Sequence, residues 1–365
     1  EMSASLVGSE MCIRDRDRMY AANTTPRQLF LDACDGRPTS RPPLWIMRQA
    51  GRYLPEYREL KEKRGFLGIV KTPELAAEAA MQPIRRFGFD CAIAFSDILT
   101  IPEALGFPYR FKDGGGIEME RTVKNESDAE ISSPRERARE NLGYVAENIK
   151  ILRAQLPDRA VFGFCGAPFT LAAYMVEGGG SKTFPKFSEF VKNSPKAFGT
   201  LMEALCEAAE EYALMQSECG IDAFQIFDSN ALLIPDGGYW ELSGKWNARI
   251  LGALKGRAKT FLFTPLGAGR FPETAAAGAD AYSVYTGNDL AAIRRANPGD
   301  YALQGNLDPL LLSRASPAEV AERAREIIAS QKPFGRHIFN LGHGILPDAK
   351  IENVEALCSA VSEGE

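Results

Sequence analysis

The chain of 365 residues has only two histidines, a slight excess of negative charge and no cluster of histidine and cysteine ligands. The net charge of −5 argues against a general nucleic-acid binder, because such proteins carry a basic surface. If the ligand is an anion, the positive potential must therefore be local. The uncharged segment at residues 160–176 is shorter than the roughly 20 residues of a membrane span, and glycine and proline interrupt it. We predict neither a nucleic-acid partner nor a membrane partner.

Seven cysteines are scattered along the chain, and no two of them form a C-x-x-C pair. Several lie inside apolar runs, where a free cysteine behaves as a small buried hydrophobic residue. This usage argues against a disulfide framework and for a reducing compartment, so we expect a cytoplasmic protein. Neither histidine has a second potential ligand at the spacing that is typical of metal sites, so we predict that the protein binds no metal.

The first 18 residues read poorly as natural sequence. SLVGSEMCIRDR, residues 5–16, resembles the translation of a transposase adapter used in sequencing libraries, and it lacks the apolar region and cleavage site of a signal peptide. We interpret residues 1–18 as an artefact without ordered structure and Met19 as the first native start. The net charge without them is −4, since they hold three arginines, two glutamates and two aspartates.

Eight short apolar runs bounded by turn residues predict strands. They are PLWIM (43–47), CAIAF (91–95), AVFGF (160–164), AFQIF (223–227), TFLFT (260–264), DAYSVY (280–285), YALQG (301–305) and HIFNL (337–341). Segments with helical spacing lie between them, at 72–88, 134–156, 195–220, 246–256, 271–279, 288–297 and 316–331. Strands alternating with helices over about 300 residues match a (β/α)8 barrel. We predict an α/β protein in which residues 19–365 form a single TIM-barrel domain.

Further signals refine this organisation. Thr72-Pro73 and Ser316-Pro317 predict helix N-caps followed by proline at the first helical position. Residues 106–133, with Gly114–Gly116 and many charges, are predicted to be an excursion from the barrel. A doubly wound open sheet is the structural alternative, although no G-x-G-x-x-G follows a predicted strand.

In a barrel of this kind, functional polar groups lie directly after the strands, at the C-terminal face. Polar residues, and Gly166 after the third strand, do follow the predicted strands: Arg48, Ser96-Asp97, Gly166, Asp228-Ser229, Thr264, Tyr285, Asn306-Asp308 and Asn340-His343. Strand ends are often polar in any case, so each residue alone says little. The set as a whole predicts a site at this face.

The block PLWIMRQAGRYLPEYREL, residues 43–60, is the most informative in the chain. A short apolar run ends in Arg48, Gly51 lets the chain turn, and Arg52 follows beside two tyrosines. Guanidinium groups bind carboxylates through paired hydrogen bonds, whereas an isolated R-x-x-x-R is more often a surface turn with solvated charge. The residues of this block resemble the signature near the N-terminus of uroporphyrinogen decarboxylases.

Further blocks extend this resemblance. They are FSDILTIPEALG (95–106) with Asp97, GFCGAPFTLAAYMVEGGGSK (163–182) with Tyr174, QIFDSN (225–230) with Ser229, LQGNLDP (303–309), and HIFNLGHGILPD (337–348) with His343. From the residues alone, Asp97 is more often a helix N-cap, Tyr174 a core aromatic and Ser229 a turn residue. His337, which opens the last predicted strand, is interpreted as structural.

The resemblance spans residues 26–358 and implies a homodimeric barrel enzyme without metal or organic cofactor. Its reaction removes the four acetate carboxyls of uroporphyrinogen III as CO2 and gives coproporphyrinogen III. A carboxylate beneath the ring nitrogens would stabilise the cation formed when a pyrrole is protonated. The matching positions imply Asp97, Arg48 and Tyr174 for catalysis and, together with these, Gln49, Arg52, Ser229 and His343 for substrate binding.

Two places depart from the family's pattern. Asn230-Ala231-Leu232 stands where the family usually has Trp-Ala-Gly, and Val284-Tyr285-Thr286 stands where it has Leu-Asp-Trp. The contacts that select among the substrate's side chains are therefore open. The proton donor is open as well: Arg48 is the family's candidate but a poor acid near neutral pH, and a protonated Asp97 or a bound water are alternatives.

Two other functions share parts of this pattern. Corrinoid-linked methyltransferases have the same barrel, but they hold zinc through His and Cys ligands whose spacing this chain lacks. A non-catalytic tetrapyrrole binder would have no need of Asp97, Tyr174 and His343 together. An activity assay discriminates between the enzyme and the binder.

Overall fold

A parallel seven-stranded sheet lies at the centre of the structure, a computed structural model that describes residues 24–112 and 115–363. The strands are β1 (Cys91–Ile93), β2 (Tyr109–Phe111), β3 (Ile117–Met119), β4 (Ala160–Gly166), β5 (Ala223–Phe227), β6 (Lys259–Thr264), β7 (Ala281–Val284), β8 (Ala302–Gln304) and β9 (His337–Ile338). The sheet order is β1-β4-β5-β6-β7-β8-β9, whereas β2 and β3 pair as an antiparallel hairpin. The interpretation of residues 1–18 as an artefact falls outside the described residues.

Helices connect the strands of this sheet. They are α1 (Pro26–Asp35), α2 (Pro55–Arg64), α3 (Phe66–Val70), α4 (Pro73–Phe87), α5 (Thr100–Ala104), α6 (Glu126–Ala129), α7 (Pro134–Asn141), α8 (Gly143–Gln155), α9 (Pro168–Glu177), α10 (Pro185–Asn193), α11 (Pro195–Glu218), α12 (Lys245–Ala253), α13 (Phe271–Ala275), α14 (Leu290–Ala296), α15 (Pro309–Arg314), α16 (Pro317–Gln331) and α17 (Ile351–Ser362). Parallel neighbours require such crossovers, since a tight turn joins only antiparallel strands. The predicted α/β class is confirmed.

The sheet is curled, because side chains from strands that are not neighbours meet on its inner face. Phe162 of β4 and Phe261 of β6 have ring centroids 5.1 Å apart, although β5 lies between their strands. Phe30 of α1 and Trp45 pack on the same cluster, 5.1 and 4.6 Å from Phe162. All four rings are fully buried, and each contributes about 1.5–3 kcal/mol of hydrophobic stabilisation to the curled form.

Residues 43–45 lie against both edge regions of the sheet without forming a regular strand. Leu44 makes an isolated parallel bridge with Phe339, and the Trp45 N–H donates to the Phe339 carbonyl at 3.3 Å. On the other side, the Asp90 N–H donates to the Leu44 carbonyl at 2.9 Å. The Asp90 carboxylate accepts the Leu44 N–H at 2.7 Å, so this N–H cannot donate to the backbone of a neighbouring strand. The predicted first strand is therefore wrong as a regular element, and the described sheet has seven strands instead of eight.

Helix boundaries follow the sequence signals in part. The predicted helix at 134–156 divides into α7 and α8, because Leu142 leaves helical geometry at φ −107° and ψ 13°. Ser316 forms the predicted N-cap in a capping box with Glu319. Thr72 does not cap its helix, since its hydroxyl donates to the Gly68 carbonyl at 2.8 Å instead.

The predicted excursion at 106–133 contains the hairpin β2–β3 and the short helix α6. The hairpin packs on the glycines that follow α9, where the Met119 N–H donates to the Gly178 carbonyl at 3.0 Å. Gly179 has φ 150°, and a Cβ at this position would overlap the Ile117 carbonyl oxygen. Only glycine allows this approach at position 179.

The described cysteines are free thiols, and Cys34, Cys91, Cys165 and Cys206 are buried, as the apolar runs around them predict. None of the helices in the described part of the chain is long and apolar enough to cross a membrane.

Candidate active site

Arg48 lies at the turn after residues 43–47, with φ 63° in the left-handed region. A residue other than glycine is strained there and keeps this conformation only where its surroundings hold it. The Met47 N–H donates to Asn340 Oδ1 at 2.9 Å, and the Ile345 N–H donates to the Met47 carbonyl at 2.9 Å. These two hydrogen bonds hold the Arg48 turn against the loop after β9.

Gln49 holds the same turn from the inside. Its side chain is only 1% exposed. Its Oε1 accepts the Ile46 N–H at 3.3 Å, and its Nε2 donates to the Cys91 carbonyl at 3.0 Å. The amide is thus occupied by the protein and holds the backbone of the turn that carries Arg48. Its direct contact with substrate stays a prediction.

Arg48 and His343 meet at the loop after β9. A Cβ on Gly344 would lie 2.5 Å from Arg48 Cδ and 3.0 Å from its Nε, so the arginine side chain passes directly over this glycine. Burial lowers the pKa of His343, and the positive charge of Arg48 lowers it further. The imidazole is therefore neutral at pH 7, with one N–H donor and one acceptor nitrogen.

Asp97 follows β1 and is the acidic group of this cluster. Its Oδ1 accepts the Leu99 N–H at 2.8 Å, two residues later in the turn. Asp97 is not the helix N-cap that the sequence alone favoured, because the N-cap position of α5 is Leu99. Among the hydrogen bonds of the described residues, none engages its Oδ2. Burial raises the pKa of Asp97, although the Leu99 N–H and the Arg48 charge lower it in part. A half-buried carboxylate of this kind can stabilise a cation and can also carry a proton.

Tyr174, on α9, completes the cluster. Its ring packs edge-on against Phe184 with centroids 5.8 Å apart. Burial raises the pKa of its hydroxyl, the negative charge of Asp97 raises it further, and Arg48 lowers it. The hydroxyl therefore lies within electrostatic reach of both charged groups. Arg48, Asp97, Tyr174 and His343 come together from four segments that are far apart in sequence.

Ser229 is exposed at the tip of β5, and its neighbour Asp228 anchors that tip. The buried carboxylate of Asp228 accepts the Thr170 hydroxyl at 2.9 Å and the Ser243 hydroxyl at 2.6 Å. Thr170 Oγ1 in turn accepts the Asn230 N–H at 3.1 Å. Burial raises the pKa of Asp228, and these hydroxyl donors oppose the rise. The sequence gives no sign of this network, because its members belong to separate elements.

An aromatic row borders the cluster and was not singled out by the motifs. Phe164, Phe227 and Phe263 lie near the ends of β4, β5 and β6, with successive ring centroids 5.6 and 6.0 Å apart. Phe263 and Tyr285 pack edge-on against His343 at 6.2 and 6.0 Å. The recurrence of phenylalanine in the last three residues of these strands was the available signal. The row supplies an apolar wall for a large ligand.

Arg52 is less closely connected to the cluster. It is exposed in the turn before α2. Burial raises the pKa of Tyr57 to about 12, and the positive charge of Arg52 opposes this rise. The Arg52 carbonyl accepts a hydrogen bond from Arg58 Nη1 at 2.8 Å. Its part in substrate binding stays a prediction, as does that of Ser229.

Within residues 24–112 and 115–363, no group of three or more His, Cys, Asp and Glu side chains is arranged to hold a metal ion. His337 lies at the start of β9 with its Nε2 2.7 Å from the Gly305 carbonyl, and burial lowers its pKa to about 4. Its position agrees with the structural interpretation of this histidine. The prediction that the protein binds no metal stays a prediction.

Comparison with known proteins bears on this site directly. The model of the family described as uroporphyrinogen decarboxylase (URO-D) matches residues 25–364. The chain belongs to this family. The uroporphyrinogen decarboxylase of Nitrosococcus oceani is 41% identical over 344 residues, which cover 92% of this chain and 95% of the relative. That of Nitratiruptor sp. is 39% identical over 340 residues, which cover 92% and 98%.

The resemblance inferred from the sequence motifs is thus confirmed, and with it the class of enzyme, a carboxy-lyase of tetrapyrrole biosynthesis. Among solved structures, a methyltransferase from Methanosarcina mazei aligns with a TM-score of 0.78 and 20% identity over 93% of this chain and 99% of that one. At this identity the likeness shows the fold alone.

Both departures from the uroporphyrinogen decarboxylase pattern lie at the strand-tip face. Tyr285 packs directly against His343, whereas the Asn230 N–H is bonded to Thr170. The substitution at Tyr285 therefore reaches the cluster, and that at Asn230 lies beside Ser229.

Proposed function

We propose that this chain decarboxylates uroporphyrinogen III, removing its four acetate carboxyls as CO2 to give coproporphyrinogen III without metal or organic cofactor. The observation that carries the proposal is the meeting of Arg48, Asp97, Tyr174 and His343 beside an aromatic row. The substrate is a ring of four pyrroles with eight carboxylates. A site for it needs positive groups for the carboxylates, apolar surface for the ring and an acidic group for the pyrrole nitrogens.

Loss of CO2 from a pyrrole acetate needs an electron sink, which protonation of the ring at the adjacent carbon supplies. The ring becomes a cation, and the free Oδ2 of Asp97 would stabilise it. At an effective dielectric constant of about 20, opposite charges roughly 4 Å apart attract by about 4 kcal/mol. An interaction of that size, present only after protonation, accelerates the reaction roughly a thousandfold.

The remaining side chains would hold and orient the substrate. Arg48, Arg52 and His343 bind side-chain carboxylates, the arginines through paired hydrogen bonds and the neutral imidazole through one N–H. Tyr174 and Ser229 orient the acetate that reacts. Because burial raises the pKa of Asp97, this carboxyl is a better proton carrier near neutral pH than an arginine.

The fold that we propose goes beyond the seven strands that the structure describes. We propose that residues 43–45 close the sheet into an eight-stranded barrel, supported by the hydrogen bonds that link them to Phe339 on one side and Asp90 on the other. Residues 19–365 would then form one domain. The family resemblance further implies a homodimer, which sedimentation equilibrium tests: a mass of one chain at micromolar concentration would contradict it.

The activity is tested by anaerobic incubation of the purified chain with uroporphyrinogen III in the presence of a chelator. The products are oxidised and separated by their number of carboxylates. A ladder from eight carboxylates to four supports the proposal, and a pool that stays at eight while the porphyrinogen binds favours a binding protein. Accumulation at seven or six would mean that the segments around Asn230 and Tyr285 change which side chains are presented.

A further inference from the structure

A group of buried hydroxyls next to Asp97 has no part in the proposed contacts with substrate. This hydroxyl cluster consists of Ser96, Thr100, Tyr109, Tyr144 and Tyr212. Thr100, Tyr109 and Tyr212 are 1%, 3% and 1% exposed. Within the described part of the chain, the buried hydroxyls of Ser96, Tyr109 and Tyr144 have no hydrogen-bond partner. Leaving a buried hydroxyl unpaired costs about 1–3 kcal/mol, so three of them beside a carboxylate need a reason.

The hydroxyl cluster lies beside Asp97. The Thr100 hydroxyl donates to the main-chain carbonyl of Asp97 at 2.8 Å, which places the cluster next to this residue. The Tyr212 hydroxyl lies within reach of Thr100 and Ser96, although its approach to Ser96 lacks the geometry of a formed hydrogen bond. Three hydroxyls of the cluster are thus not satisfied by the other protein groups around them. Polar spaces of this kind are where proteins hold buried water.

The other side of the hydroxyl cluster opens on a pocket of about 390 Å³, which Thr100, Glu103 and Tyr144 help to line. The site cluster of Arg48, Asp97, Tyr174 and His343 contributes nothing to its lining. Glu103 is paired there with Lys71 at 2.6 Å and is 21% exposed, so it is accessible to solvent. The pocket is large enough for several water molecules, each of which occupies roughly 30 Å³.

Electrostatics links the two ends. Burial raises the pKa of the Tyr109 and Tyr144 hydroxyls, and the negative charges of both Asp97 and Glu103 raise it further. Both phenols are therefore within electrostatic reach of Asp97 and of Glu103. Since neither phenol can ionise at neutral pH, each could pass a proton only by accepting one on its oxygen while releasing its own.

We propose that the hydroxyl cluster, with water bound to its unpartnered members, carries protons from the Glu103 pocket to Asp97. The inference rests on the proposed function. In each decarboxylation the bond between the acetate methylene and its carboxylate breaks, CO2 leaves, and the electron pair stays on the substrate. A new C–H bond then forms with a proton from solvent, so each acetate consumes one proton and nothing is oxidised or reduced. A substrate bound beside Asp97 would cover that side of the carboxyl, whereas the lining of the Glu103 pocket is separate from the site cluster.

The test uses Tyr109→Phe, Tyr144→Phe and the double variant in the full chain, each of which removes only a hydroxyl. We expect kcat to fall on the order of tenfold in the double variant, with KM for uroporphyrinogen unchanged. The solvent deuterium isotope effect on kcat should rise above that of the unaltered enzyme, because proton delivery becomes rate-limiting. Tyr301→Phe, which removes a phenol hydroxyl bonded to the Asn297 carbonyl on another part of the molecule, is the matched control.

A second variant, Glu103→Gln, tests the outer end without changing the buried residues. It should also lower kcat and raise the isotope effect, and added imidazole buffer should restore part of the rate. An unchanged isotope effect in all of these variants overturns the inference, whether or not kcat falls, because a structural defect would not make proton transfer slower. If the unaltered enzyme itself releases no CO2, the proposed function fails first, and the two failures are thus distinguishable.

Discussion

Replacing Gly344 with alanine tests whether the position of the Arg48 side chain matters to the reaction. The backbone of Gly344 lies outside the left-handed region, so alanine is acceptable to the chain itself. Its Cβ, however, would lie 2.5 Å from Arg48 Cδ and 3.0 Å from both Cγ and Nε. Carbon atoms in contact are normally about 3.5–4.0 Å apart, so the arginine must move by about 1 Å or more.

The magnitude follows from this displacement. Moving a group that positions substrate by about 1 Å costs roughly 100-fold in rate, or about 2–3 kcal/mol of transition-state stabilisation. We therefore expect kcat/KM of Gly344→Ala to fall by about that factor. The melting temperature should hardly change, because Arg48 is exposed and the backbone of Gly344 can accept alanine.

The assay is the anaerobic porphyrinogen reaction with quantified products, run beside two comparisons. Gly252→Ala in α12 is the control, since its Cβ would meet no atom within 4 Å, and it should keep full activity. The second comparison places Gly344→Ala in an Arg48→Ala background. If the loss acts through the arginine, the glycine substitution should have no further effect there. Unchanged kcat/KM in the single variant, or an equal loss in both backgrounds, would refute the reasoning.

Asp97→Asn should lower kcat by roughly 100-fold or more with little change in KM, because the cation forms only after protonation; unchanged turnover would contradict its role. Thr170→Val removes the hydroxyl that joins Asp228 to the Asn230 N–H, and urea unfolding should show that the free energy of unfolding falls by about 1–3 kcal/mol. Thr200→Val, on an exposed helix surface, is the control and should change this free energy little. Burial lowers the pKa of His337 from 6.5 to about 4, so the unfolded chain binds a proton that the native state lacks between these values. Stability should fall by roughly 3 kcal/mol as pH drops through this range, and His337→Gln should lose that part of the pH dependence; an identical slope would refute it.

The local sequence pattern predicts those structural elements that depend on interactions between residues close in sequence. The run AFQIF coincides with β5, Ala223–Phe227, and Ser316 forms its capping box with a glutamate three residues later. The continuous apolar run of a buried strand and the bonding of a cap depend on residues that are close in sequence. Such elements can therefore be read from the chain before the fold is known.

Prediction fails where distant groups compete for the same backbone. Residues 43–47 have the composition of a strand, but the Leu44 N–H is taken by the carboxylate of Asp90, 46 residues later. Thr72 has the right type and place for an N-cap, yet its hydroxyl prefers the Gly68 carbonyl. These choices depend on which donors and acceptors the fold brings close, and neither can be read from the local sequence.

The sequence by itself determined the class of fold, the family and the residues available for chemistry after the strands, among them Arg48, Asp97, Tyr174 and His343. Tertiary structure alone decided how these side chains are placed. It turned the Gln49 amide inward, laid Arg48 over Gly344 and set a row of buried hydroxyls beside Asp97. The physical reason is that burial, charge and hydrogen bonding act through space, so a side chain's pKa and reach are set by neighbours that lie far away along the chain.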